Sequence, residues 1–171
     1  MVLYTAGVDT RVAAVISAGG WGNGERKLEG QHPTPGAWDK FKRMLEEGRE
    51  QKAKTGTTLM VHRFDIVPIP PHLRIGLPEN ALMEFPIDTA QSIYDFRPDD
   101  VIPAIAPRPV LFLHASVDSV TPTSESIAMF QIAHPPAELH LFTGVDHFML
   151  GERNARVQDT LAGWLHMHFP A

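Results

Sequence analysis

From Arg11 to Gly20 the chain reads Arg-Val-Ala-Ala-Val-Ile-Ser-Ala-Gly-Gly. This short, nearly continuous apolar stretch, rich in β-branched residues and ended by a glycine pair, predicts a buried strand of a parallel sheet. Ahead of it, Val2 to Gly7 predicts the last turns of a helix stopped by Gly7, and a helix that ends so early leads us to expect chain before it. Between Trp21 and Asp99 the pattern loosens. Gly36 to Lys54 carries Phe41, Met44 and Leu45 at helical spacing among charged residues, which predicts an exposed amphipathic helix. Prolines at 68, 70, 71, 78 and 86 then break the chain into short pieces, with a short helix predicted over Thr89 to Tyr94. Residues 21–99 are expected to form a cap-like insertion within one domain spanning 1–171.

Regularity returns at Pro109. Val110 to Ala115 is predicted as a strand, Thr121 as an N-cap with Pro122 at the first helical position, and Ser124 to His134 as the helix. Glu138 to Phe142 is the next predicted strand. Glu152 to Phe169 is a closing helix with Val157, Leu161, Trp164, Leu165 and Phe169 along one stripe. Strand, helix, strand, helix with short turns implies a right-handed parallel crossover and an α/β fold.

Composition narrows the functions such a fold can serve. With 43% hydrophobic and 20% charged residues, the 171-residue chain has enough apolar material for a real core. A formal charge of −5 offers no basic surface for nucleic acid or anionic lipid. No run reaches the ~20 apolar residues that span a bilayer. The absence of cysteine excludes disulfides and thiolate metal sites and is compatible with a cytoplasmic location. A small-molecule or protein partner is expected, with neither nucleic acid nor membrane.

The chemistry lies in two turns. Asp118 follows the strand at Val110–Ala115, and His147 follows the strand at Glu138–Phe142 after a turn at Gly144. Reactive groups gather beyond the carboxyl ends of parallel strands, and neighbouring strands are ~5 Å apart, so the two side chains can meet. A carboxylate there would fix the imidazole tautomer and stabilise imidazolium. Asp146 is a second choice as the histidine's partner. Taken singly, Asp118 reads as a turn former and His147 as a loop histidine; their order and placement together favour an acid–base pair.

Other features carry less. Ser17 has no leading glycine and lies in or at the end of a strand, so it lacks the exposed elbow a nucleophile needs. Gly19, Gly20, Gly22 and Gly24 could cradle phosphate, but Glu25-Arg-Lys opens no clear apolar helix and a flexible loop is expected. His166 and His168, two apart on a helix, face different directions and read as surface rather than metal ligands. Trp38, Phe41 and Met44 could line a pocket, although a docked amphipathic face explains them.

Val101 to Ala171 resembles the C-terminal part of the α/β-hydrolases. Leu3-Tyr-Thr-Ala-Gly-Val-Asp-Thr-Arg-Val12 and the stretch to Gly20 resemble the helix and strand after the nucleophile elbow in the dienelactone-hydrolase-like and acyl-peptidase-like branches. The resemblance implies about three parallel strands with flanking helices, and a serine hydrolase cleaving an ester or related acyl bond. It makes Asp118 the acid and His147 the base, implies no cofactor, and puts the serine a few residues before Met1. No Gly-x-Ser-x-Gly occurs in residues 1–171. It further implies an open strand edge at Arg11–Ala18 that would pair with an N-terminal half or with a second copy. The alternative is a non-catalytic binding module with an inherited cleft.

Overall fold

The computed structural model describes residues 1–170. In chain order the elements are α1 (Val2–Val8), β1 (Val15–Ala18), α2 (Gly24–Gln31), α3 (Ala37–Thr55), β2 (Met60–His62), α4 (Arg63–Ile66), β3 (Glu84–Pro86), α5 (Ile87–Asp95), β4 (Val110–Ala115), α6 (Ser124–Ile132), β5 (Ala137–Phe142) and α7 (Ala155–His168). They form two compact units, one from residues 1–22 with the chain from Arg97 onward, the other from residues 23–96.

The first unit is built on a parallel sheet of order β1-β4-β5, with Val15 opposite Val110 and Val110 opposite Ala137. All six residues of β4 are buried, which is why its sequence is apolar on both faces. Its side chains alternate between two cores. Val110 and Phe112 join Leu3, Ala6, Val15, Ile102, Ile105 and Met129 on one face. Leu111, Leu113 and Ala115 join Phe142, Met149, Val157 and Trp164 on the other. Truncating Leu111 or Leu113, both fully buried, to alanine should cost about 2–5 kcal/mol.

The second unit holds its own core of Leu28, Phe41, Leu45, Val61, Ile66, Ile87 and Ala90. Phe41 and Leu45 are the buried stripe of α3, and the Trp38 ring stacks on Phe41 at 5.5 Å, so these aromatics serve the core. β2 and β3 pair antiparallel, with Val61 opposite Phe85, a contact hidden in the sequence by the prolines between them.

Several boundaries differ from the sequence expectation. The strand expected over Arg11–Ala18 is only Val15–Ala18: Arg11 folds back onto Asp9, and Arg108 Nη1 donates to the carbonyls of Asp9 and Val12 at 2.9 and 3.0 Å. The glycine-rich stretch does not run on as a flexible loop, because Asn23 caps α2, its side chain accepting from the Arg26 N–H at 3.1 Å. Thr121 is not the cap of α6. Thr123 takes that position, and the Thr123 hydroxyl donates to the Ala115 carbonyl at 2.8 Å. The last helix starts at Ala155, capped by Asn154, and Leu165 and Phe169 of the expected stripe are exposed. No helix among the described residues is long and apolar enough to cross a membrane.

Candidate active site

β4 and β5 are parallel neighbours, so the loops leaving their carboxyl ends emerge side by side. Asp118 stands in the first loop and His147 in the second, and His147 Nδ1 lies 2.9 Å from Asp118 Oδ2. A carboxylate only accepts, so the Nδ1 hydrogen points at Asp118 and Nε2 keeps its lone pair. Among the described residues Nε2 has no hydrogen-bond partner. The His147 side chain is 20% exposed while that of Asp118 is fully buried. The histidine can therefore be reached from solvent, and its acid cannot.

Four donors hold Asp118. Oδ1 accepts from the Val120 and Thr121 N–H groups at 2.8 and 2.7 Å. Oδ2 accepts from His147 and from His114 Nε2, the latter at 3.1 Å. Burial by itself would raise the carboxyl pKa. The hydrogen bonds from His114 and His147, with those from the two backbone amides, outweigh it and hold the group well below the usual carboxylate range. Asp118 is thus a fixed anion that orients His147. It is also a turn former, since its bonds to Val120 and Thr121 shape the loop leading to α6.

Asp146 does not partner the imidazole ring. Adjacent side chains diverge, and its carboxylate turns to the other loop, where Oδ1 accepts from the Ser119 N–H at 2.9 Å and Oδ2 from the Ser119 hydroxyl at 2.5 Å. Oδ1 also accepts from the His147 N–H at 2.7 Å. Asp146 therefore ties the acid loop to the histidine loop. Burial pushes its pKa up, but the bonds from Ser119 and the His147 amide bring it below the ordinary value.

Two neighbours escaped the sequence reading. His114 is the single polar side chain in β4 and is fully buried, with Nδ1 2.6 Å from the Ser126 hydroxyl of α6. The available signal was a histidine inside an otherwise apolar strand, which must find partners when buried. Gly19, at the end of β1, lies against the His147 ring with φ +61°.

The weaker candidates stay outside this group. Ser17 is buried within β1, and no described hydrogen bond joins it to His147. His166 is exposed, His168 packs on the Trp164 ring at 4.6 Å, and no cluster of metal-ligating side chains occurs among the described residues.

No family model matches this sequence, and neither does any curated protein. Solved structures do match in shape. The chain superimposes on the α/β hydrolase GrgF from Penicillium sp. sh18 with a TM-score of 0.72 at 18% identity, covering 99% of this chain and 60% of that one. A monoacylglycerol lipase from Paleococcus ferrophilus gives 0.66 at 18% identity, covering 98% and 64%. A soluble variant of the monoglyceride lipase from Saccharomyces cerevisiae gives 0.61 at 16% identity, covering 98% and 61%. The chain has the fold of the C-terminal part of an α/β hydrolase, and it spans about three fifths of the length of these structures.

Proposed function

We propose that this chain supplies the acid and the base of a serine hydrolase that cleaves an ester or related acyl bond. The observation that carries the reading is the 2.9 Å bond between His147 Nδ1 and Asp118 Oδ2 at the carboxyl ends of adjacent parallel strands. The order along the chain, acid and then histidine, fits the order in this fold.

In the proposed reaction a serine hydroxyl outside residues 1–171 attacks the acyl carbonyl, and its proton passes to His147 Nε2. Asp118 stabilises the imidazolium through Nδ1–H. His147 then gives the proton to the departing alcohol, leaving an acyl-serine ester. Water attacks that ester with His147 again as base, which releases the acid and restores the serine.

The test is aryl-ester turnover by this chain together with the polypeptide segment that carries the serine. Asp118→Asn should lower kcat about 10⁴-fold, because the wrong tautomer is then favoured. His147→Ala should lower it about 10⁶-fold. Turnover that survives either change would remove the acid–base assignment.

A further inference from the structure

We propose that His114 is a positioning residue of this site, its Nε2–H and the Nδ1–H of His147 converging on the same carboxylate oxygen of Asp118. The inference rests on the acid–base reading above and adds a second histidine to it. The two distances to Oδ2 are similar, 3.1 Å from His114 and 2.9 Å from His147. His114 Nε2 also lies 3.1 Å from the Thr121 carbonyl oxygen. Both neighbours of this nitrogen are therefore acceptors, so it must carry hydrogen. On the other side of the ring, Ser126 Oγ lies 2.6 Å from Nδ1 and can donate to it when the hydrogen sits on Nε2. His114 and His147 thus hold opposite tautomers, each pointing its hydrogen at Asp118.

The arrangement has a consequence for the base. A buried carboxylate with a single imidazole partner could swing with that partner. Two backbone amides hold Oδ1 of Asp118, and His114, itself bonded to Ser126 of α6 and to the Thr121 carbonyl, adds a second anchor at Oδ2, the oxygen that His147 meets. The His114 donor also drains part of the carboxylate charge, which limits how strongly Asp118 attracts a proton onto His147. The titratable groups facing His147 are Asp118, His114 behind it, and Asp146 on its own loop. Glu152 accepts from the Asp146 N–H at 3.1 Å, and Glu125 of α6 is engaged elsewhere, accepting from the Gly22 N–H at 3.1 Å.

Nitrogen-detected NMR of the two imidazoles in the whole chain, as a function of pH, tests this. The wild-type chain should show His114 with hydrogen on Nε2 and neutral His147 with hydrogen on Nδ1. In His114→Leu, which keeps the volume and loses the donor, the His147 pKa should rise by about 0.5 unit, roughly threefold in its proton affinity. His114→Gln, which restores an N–H donor, should return it to within about 0.2 unit of wild type. A His147 titration unmoved by His114→Leu but lowered by Asp118→Asn would make His114 a core residue only and overturn the inference. A titration unmoved by Asp118→Asn as well would overturn the acid–base pair itself. Should His114→Leu fail to fold, Ser126→Ala serves: the His114 hydrogen should stay on Nε2, held by Asp118 Oδ2 and the Thr121 carbonyl, and its transfer to Nδ1 would contradict the proposal.

Discussion

Gly19 approaches the His147 ring so closely that a Cβ at this position would stand 3.2 Å from both Cε1 and Nδ1 of the imidazole. With φ +61° the backbone also adopts a conformation that side chains resist. β1 therefore ends in a surface that backs the ring and keeps Nδ1 aimed at Asp118. Gly19→Ala should cost about 1–2 kcal/mol from backbone strain and displace the ring by a few tenths of an ångström. Thermal denaturation and the imidazole chemical shifts would show both effects. Unchanged His147 shifts would mean that Gly19 does not position the ring.

Asp146 should matter for the two loops more than for the fold as a whole. Removing its three described acceptor bonds to Ser119 and His147 by Asp146→Ala should cost about 1–3 kcal/mol. Amide exchange at Ser119 and His147 should accelerate while β4 stays protected. Asp146→Asn, which keeps one oxygen acceptor, should lie between the two. Uniform acceleration across the sheet would show that Asp146 supports the core instead.

The depressed pKa of Asp118 links stability to pH in one direction. A carboxyl whose folded value lies below its unfolded value of about 3.9 contributes fully above that pH, and the contribution is lost as pH falls toward the folded value. The contribution of the Asp118 carboxylate to the stability difference between wild type and Asp118→Asn should therefore shrink as pH falls below about 4. Denaturant midpoints across pH 2–7 check this, and a difference that grows toward acid would contradict the ionised, hydrogen-bonded acid.

The placement of Asp118 and His147 was legible because it rests on short apolar strands bounded by turn residues and on where parallel strands release their loops. β4 matched its sequence limits residue for residue, and β5 began one residue earlier than expected. Less legible were features set by side chains reaching across the fold. Arg108 makes β1 start late by binding carbonyls nearly a hundred residues away in sequence, and the Asn23 cap makes a helix of a charged, apolar-poor segment. The tie that Asp146 makes between the two loops was hidden for the same reason. Its nearest neighbour in sequence is His147, but its carboxylate is spent on Ser119 and on backbone.

β1 has a neighbour on one side only among the described residues. Val15 N–H bonds to the Pro109 carbonyl at 3.0 Å and Gly19 N–H to that of Leu113 at 2.9 Å, so alternation turns the N–H groups of Ile16 and Ala18 away from β4. Beside this edge lies an apolar hollow of about 330 Å³ whose lining includes Val2, Val12, Ala14 and Ile16. An open, uncharged edge recruits strands. The isolated chain should self-associate or pair with a polypeptide that adds a strand there. Sedimentation with hydrogen exchange checks this, and a stable monomer whose amides at Ile16 and Ala18 are strongly protected would contradict it.

The most direct measurement of the central claim is to map fluorophosphonate adducts by mass spectrometry, first on the 171-residue chain and then on the chain with its serine-bearing segment. Asp118 and His147 without the proposed serine offer no activated hydroxyl to phosphonylate. The expected result is no adduct on Ser17, Ser92, Ser116, Ser119, Ser124 or Ser126 in the chain alone. A single adduct outside residues 1–171 should appear when the segment is present and be lost in His147→Ala. An adduct on any of those six serines, with ester turnover abolished by changing it to alanine, would contradict the claim that the chain holds only the acid and the base.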